Sequence, residues 1–252
     1  MGRVESSAPP IAGEIHIGLD IGQKVDPTAL VVVETLDVPS GRTQETWQHY
    51  GLADWDKRRA GTQETRYVVR TLERIKLGTG YPEVCARVVE VLVKLRQLEL
   101  SRRVTSGIDE GGRLTLRSLY VDVTGVGRPV YDILQTAILS QRHAQDCRVY
   151  PITFTHGDRY DRKTGSMGKA YLVSRLQVLL QTKRLHLPAS HPDVPVLVRE
   201  LQDYEIRVDS NANDTYGAFR VGTHDDLATA LGLACLEDPR DYRVTLVPNP
   251  WA

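Results

Sequence analysis

Cysteine is scarce, and Cys85, Cys147 and Cys235 stand far apart with no CxxC pair. That spacing suggests neither a disulfide framework nor a cysteine zinc site, leaving buried, reduced thiols of an intracellular protein as the expectation. No apolar run approaches the ~20 residues needed to cross a bilayer, so no membrane partner is expected. The opening segment MGRVESSAPPIAGE has neither a basic stretch nor an apolar core, and reads as a flexible arm rather than a signal peptide. Neither GxxxxGK[ST] nor HExxH occurs, which removes a Walker-type ATPase and an HExxH zinc centre. Net charge is missing too. The 32 basic residues balance 32 acidic ones, an unusual total for a nucleic-acid binder.

What is present is ordinary in bulk and uneven in detail. The 252 residues, 41% hydrophobic and 25% charged, suit one large soluble domain with small appendages. We expect an arm over 1–13, a domain over 14–240 and a tail over 241–252. Between Arg148 and Arg184 stand eight Lys/Arg against Asp158 and Asp161 alone. A second basic stretch, Lys57 to Arg74, is interrupted by acids. A locally basic segment suits a phosphodiester substrate better than the net charge suggests.

The patterning predicts three opening strands: Glu14 to Asp20, Ala29 to Leu36, and Thr43 to Gly51, the first two paired antiparallel across Val25-Asp26-Pro27. The charged stretch that follows has no clear pattern. Tyr81-Pro82 opens an amphipathic helix with Val84, Val88, Val91, Leu92, Leu95 and Leu98 on one face. A buried strand, Arg117 to Val123, leads through Gly125 and Gly127 to a helix opened by Pro129 and carrying Val130, Ile133, Leu134, Ala137 and Ile138. Cys147 to Phe154 is a strand, and Thr155 to Gly168 has no obvious regular structure. Then come a helix over Lys169 to Gln181, a short strand Arg184 to Leu187, and a helix over Val194 to Asp203. A hairpin of Ile206-Val208 with Gly217-Val221 precedes a last helix, Thr223 to Leu236. This order implies an α/β fold: a mixed sheet with helices on both faces, the order of the RNase H-like fold.

Acids in apolar settings carry the chemistry. Asp20 in IHIGLDIG and Asp122 in LYVDVTGVG end strand-like runs, while Asp225 and Asp226 open an apolar helix in GTHDDLATALGLA. Carboxylates in such places cost free energy unless compensated, and a shared divalent cation is the common compensation. Carboxylates converging on Mg²⁺ or Mn²⁺ make a phosphodiester-hydrolysis site. Each has a structural alternative. Asp20 could be a turn residue, and Thr223 with Asp226 could form a capping box in which the acids serve only the helix. Asp26, before a proline, reads as a turn former and Asp132 as a charge at a helix N-terminus. Lys169, in GSMGKAYL, is placed to contact a phosphate or to sit on a helix surface.

LDIGQKVDPTALVVVE, LYVDVTGVGRPVYDIL and GTHDDLATALGLA, with GKAYLVSRLQVLLQTKRLHLP between the last two, resemble the nuclease domain of large terminase subunits of tailed bacteriophages. The resemblance runs from about Glu14 to Leu236. It implies an RNase H-like domain cutting double-stranded DNA with Mg²⁺ or Mn²⁺ during viral DNA packaging, in the cytoplasm of the host cell. Asp20, Asp122, Asp226 and Asp225 would be the catalytic metal ligands, with Asp20 bridging two ions. Lys169, Arg159, Arg162 and Lys163 would contact DNA. A packaging ATPase, a portal or a small terminase subunit would be partners, since this chain lacks the ATPase of a full terminase. LDIGQ and VDVTGVG also resemble the phosphate motifs of actin-like sugar kinases and ATPases. A Holliday-junction resolvase, or an inactive RNase H-like module that positions DNA or a motor partner, would share the same fold.

Overall fold

Alternation sorts the first strand into two faces. In β1 (Glu14–Asp20), Ile15, Ile17 and Leu19 enter one core cluster, so His16, Gly18 and Asp20 face the other way. The computed structural model describes residues 13–22, 26–39, 63–105, 117–125, 127–203, 205–208, 214–217 and 224–236. β2 (Thr28–Pro39) pairs antiparallel with β1 as expected, sending Leu30 and Val32 to the Ile17 side and Ala29, Val31 and Val33 to the other.

The next described strand lies where composition showed no pattern. Thr43 to Gly51 falls outside the described residues, and β3 is Gln63–Ile75, in the stretch that carried no pattern. Its register against β2 steps from Val32↔Thr71 to Val33↔Val69, leaving Arg70 as an extra residue. Thr65, Tyr67 and Val69 are buried before this bulge and Leu72 after it, so the period of two changes phase and disguises the strand. Arg70 Nε donates to the fully buried Glu34 at 2.6 Å, pairing the charge that the bulge brings inward.

α1 (Tyr81–Thr105) follows, then β4 (Arg117–Asp122) parallel to β1, α2 (Gly127–Leu139), and β5 (Arg148–Thr155) parallel to β4. α1 and α2 cover the Ile17 face with Val84, Val88, Leu92, Val130, Leu134 and Ile138. Leu98 and Ile133, expected on those buried faces, are exposed. The stretch expected to be irregular contains a small hairpin, β6 (Tyr160–Asp161) and β7 (Ser166–Gly168), with β7 added parallel to β5. α3 (Lys169–Gln181) and α4 (Val194–Asp203) match expectation, and β8 (Leu185–His186) closes the far edge beside β3. β9 (Glu205–Val208) and β10 (Asp214–Gly217) form a separate ribbon whose second strand begins earlier than predicted. Among the described residues the main sheet has eight strands in the order β6-β7-β5-β4-β1-β2-β3-β8. No described helix is long and apolar enough to cross a membrane.

The last helix, α5 (Asp226–Ala234), is shorter than the pattern predicted and fully buried. Nine residues cannot hold a helix in isolation. Burial holds it: Leu227, Leu231 and Leu233 each contribute about 1.5–3 kcal/mol relative to exposure. α5 and α3 pack on the Gly18 face of the sheet, α3 contributing Leu172, Leu176 and Leu179 to the core there. The approach is so close that a Cβ at Gly18 would stand 1.8 Å from the Ala230 carbonyl oxygen. Glycine is therefore required where α5 crosses β1.

Candidate active site

Asp20 and Asp122 are the last residues of adjacent parallel strands and are paired in register. Their backbones are one strand spacing apart, about 4.8 Å. Both follow the parity of Gly18 and Tyr120, so both belong to the face that α5 covers. Asp122 is fixed by its own turn. Its Oδ1 accepts from Thr124 N–H at 2.8 Å and from Thr124 Oγ1 at 2.5 Å. Thr124 Oγ1 in turn accepts from Phe154 N–H at 2.8 Å, which ties the turn to β5.

The acids of α5 are not used as caps. The N-cap residue is Asp225, not Thr223, and its side chain makes no capping hydrogen bond. Thr223 itself falls outside the described residues. The Asp225 carbonyl accepts the Thr229 N–H at 2.8 Å, so only its backbone serves the helix. Its carboxylate turns to Lys169, whose Nζ lies 3.4 Å from Asp225 Oδ2 and 5.5 Å from the Phe154 ring centroid. Asp226 is buried, and its Oδ2 accepts no hydrogen bond. Arg74 Nη2 is 3.4 Å from that oxygen.

The electrostatics tie the four acids together. Burial pushes the Asp20 carboxyl well above its usual range, and the charges of Asp122, Asp226 and Asp225 push it further, against the pull of Lys169. Burial also raises Asp122, partly offset by the Thr124 hydrogen bonds. Asp226 is pushed up to about 6, mainly by burial, with Arg74 and His224 opposing. The four carboxylates act on one another through charge, with Lys169, Arg74 and His224 opposing them among the described residues.

Sequence reasoning overlooked several neighbours. Asp26, whose place before a proline predicts only a turn, lies with Oδ1 3.3 Å from His224 Nδ1. Asp26, His224 and Asp226 offer ligand atoms all within 4.8 Å of one another. Arg74 bonds Glu200, a buried carboxylate on α4 whose Oε2 accepts the Ala228 N–H of α5 at 2.8 Å. Nothing in the sequence marks Glu200, and Asp-Pro gives no hint of a partner 198 residues away. The other DNA candidates lie at the sheet edge. Arg159, Arg162 and Lys163 are exposed around the β6–β7 hairpin, whose turn Asp161 holds by accepting from Lys163 N–H at 2.9 Å. Ser166 pairs with Thr153, next to the partner of Asp122, so the hairpin stands about 10 Å, two strand spacings, from that acid's strand. Lys169 alone among the four is inside the acidic site.

The fold is an RNase H-like α/β fold, with acids gathered where β1, β4 and α5 meet. Among solved structures it is similar to the human cytomegalovirus terminase nuclease domain at 14% identity, covering 93% of this chain and 88% of that one with a TM-score of 0.51. A manganese-soaked form of that domain aligns at 14% identity over 94% and 89%, with a TM-score of 0.50. The large terminase nuclease of thermophilic phage G20c aligns at 18% identity over 88% and 80%, with a TM-score of 0.49. No protein-family model matches the sequence, and no curated protein matches it.

Proposed function

We propose that the chain is a divalent-metal-dependent endonuclease that hydrolyses double-stranded DNA, acting in viral DNA packaging. The observation that carries this reading is the convergence of the acids: Asp225 caps no helix with its side chain, and its charge acts with those of Asp122 and Asp226 on the buried Asp20. The donor set fits Mg²⁺ or Mn²⁺, which take carboxylate oxygens, and the buried Asp226 Oδ2 still lacks a hydrogen-bond donor. Asp20, Asp122, Asp225 and Asp226 would hold the metal, and four carboxylates are enough for two ions. When bound, the metal supplies Lewis-acid activation of water and neutralises charge at the phosphate.

The chain's own residues do the rest. Asp20, on the central strand, is held rigidly between neighbours on both sides. Thr124 fixes the rotamer of Asp122 with two hydrogen bonds. Lys169 brings a cation to the rim of the cluster, where it can donate to a phosphate oxygen. Arg159, Arg162 and Lys163 continue that charge along the sheet edge as a track for the DNA backbone. The likeness of fold to a terminase nuclease domain supports the reading without supplying it.

The test is cleavage of supercoiled plasmid with Mn²⁺, with Mg²⁺ and with EDTA. Wild type should linearise plasmid only with metal, and Asp20→Asn and Asp226→Asn should not. Folded wild type that cuts nothing with any metal would overturn the proposal in favour of a non-catalytic module.

A further inference from the structure

The N-terminus of α5 is capped by a residue from another helix. An N-cap aspartate ordinarily accepts from the N–H two or three residues into its own helix, here Leu227 or Ala228. Ala228 N–H instead donates to Glu200 Oε2, 2.8 Å away on α4. The other carboxylate oxygen of Glu200 is bonded by Arg74 of β3. Arg74 Nη2 also lies 3.4 Å from Asp226 Oδ2. Two elements, α4 and β3, thus converge on the first turn of α5, and Glu200 is 4% exposed. A carboxylate so buried is retained at a cost unless its hydrogen bonds matter.

We infer that Glu200 is a positioning residue for the acidic site: by capping α5 it releases the Asp225 side chain towards Lys169, and through Arg74 it orients Asp226. The inference rests on the metal-nuclease reading for its consequence, although the cap itself does not. A self-capped helix would turn Asp225 back onto Ala228, away from Lys169, and one carboxylate would leave the cluster. With Glu200 in place the helix N-terminus is satisfied and both acids of α5 stay available. Arg74 adds a second effect. It places a positive charge beside Asp226, as Lys169 does beside Asp225, and its bond to Glu200 prevents it from collapsing fully onto Asp226.

The two carboxylate oxygens of Glu200 therefore separate in function, and two substitutions separate them. Glu200→Gln keeps an oxygen for Ala228 N–H and loses the charge that holds Arg74. Glu200→Ala loses both. Two readouts distinguish positioning from mere stability: the side-chain carboxyl ¹³C shift of Asp225 in metal-free protein, and Mn²⁺ affinity followed by the free-ion electron paramagnetic resonance signal. In Glu200→Ala the Asp225 shift should move as its carboxylate takes over the cap, while in Glu200→Gln it should stay. Mn²⁺ binding should weaken in both by about 10- to 100-fold, the range for residues that orient metal ligands. An unmoved Asp225 signal in a folded Glu200→Ala protein would overturn the capping assignment. Wild-type Mn²⁺ affinity in both variants, with only a lowered melting temperature, would overturn the positioning role. Wild type that binds no Mn²⁺ would sink the metal-nuclease reading, and the Asp225 signal would still decide the cap.

Discussion

Lys169 and Asp225, the first residue of one helix and the N-cap of another, meet with Nζ 3.4 Å from Oδ2. The pair joins the basic segment of the chain to its acidic site, where the Lys169 charge favours ionisation of Asp20 and Asp122 and the Asp225 charge opposes it. Replacing Lys169 with Ala should lower plasmid cleavage by about 100- to 1,000-fold, on the scale of losing one charge-stabilising donor, while the fold persists. The same change at exposed Lys163 should weaken DNA binding only slightly, and the difference should show as kcat for Lys169 and KM for Lys163. Equal, small effects from the two lysines would mean that Lys169 is an ordinary surface residue.

Asp20 bears the heaviest crowding of like charge, so its neutralisation should help the metal-free protein. Asp20→Asn in EDTA at pH 8 should raise the melting temperature, with about 1 kcal/mol of relief reading as about 2–4 °C. Mn²⁺ at 100 times its Kd should stabilise wild type by about 2.7 kcal/mol and leave the variant nearly unmoved. A variant less stable than wild type in EDTA would show that the carboxylate is compensated by something other than metal.

Gly18 has no room for a methyl group, because the obstruction is the Ala230 backbone rather than a pliable side chain. Gly18→Ala should cost about 1–3 kcal/mol in denaturant unfolding, the range for overpacked cores. It should also depress cleavage beyond the loss of folded protein, since lifting α5 carries Asp225 and Asp226 away from Asp20. Unchanged stability would mean that α5 is set less closely on β1 than described.

His16 gives a pH signature remote from the acids' chemistry. Its imidazole is buried, neither ring nitrogen has a hydrogen-bond partner, and burial lowers its pKa to about 4 from an ordinary 6.5. The unfolded chain therefore binds a proton that the folded chain refuses. Stability is full above about pH 6.5 and declines as the pH falls towards about 4, by up to about 3 kcal/mol from this residue. Denaturation midpoints of wild type and His16→Phe at pH 7.5 and pH 4.5 measure it, and the variant's difference should be the smaller. Parallel shifts in the two proteins would refute the assignment.

Local sequence showed most of the sheet and the acids, because strand parity and apolar periodicity are local signals. Asp20, Asp122, Asp225 and Asp226 stood out as charges in apolar runs. β3 did not, because the bulge at Arg70 breaks its alternation and its charges pair across strands. The β6–β7 hairpin was hidden by its brevity. Glu200 and Arg74 were invisible for another reason: their partners lie on α4, α5 and β3, and no spacing along the chain encodes that meeting. The capping-box pattern at Thr223 pointed to the wrong N-cap, since it assumed that a helix must supply its own cap.

The division of the sheet into two faces has a practical result. Every acid of the cluster lies towards α5, whereas Val88, Leu92, Leu134 and Ile138 fill the opposite side without touching it. The α3–α5 layer therefore carries both packing and chemistry, whereas the α1–α2 layer carries packing alone. Substitutions aimed at heat resistance can be confined to the α1–α2 layer, away from the acids, and combined with changes at the site at little mutual expense.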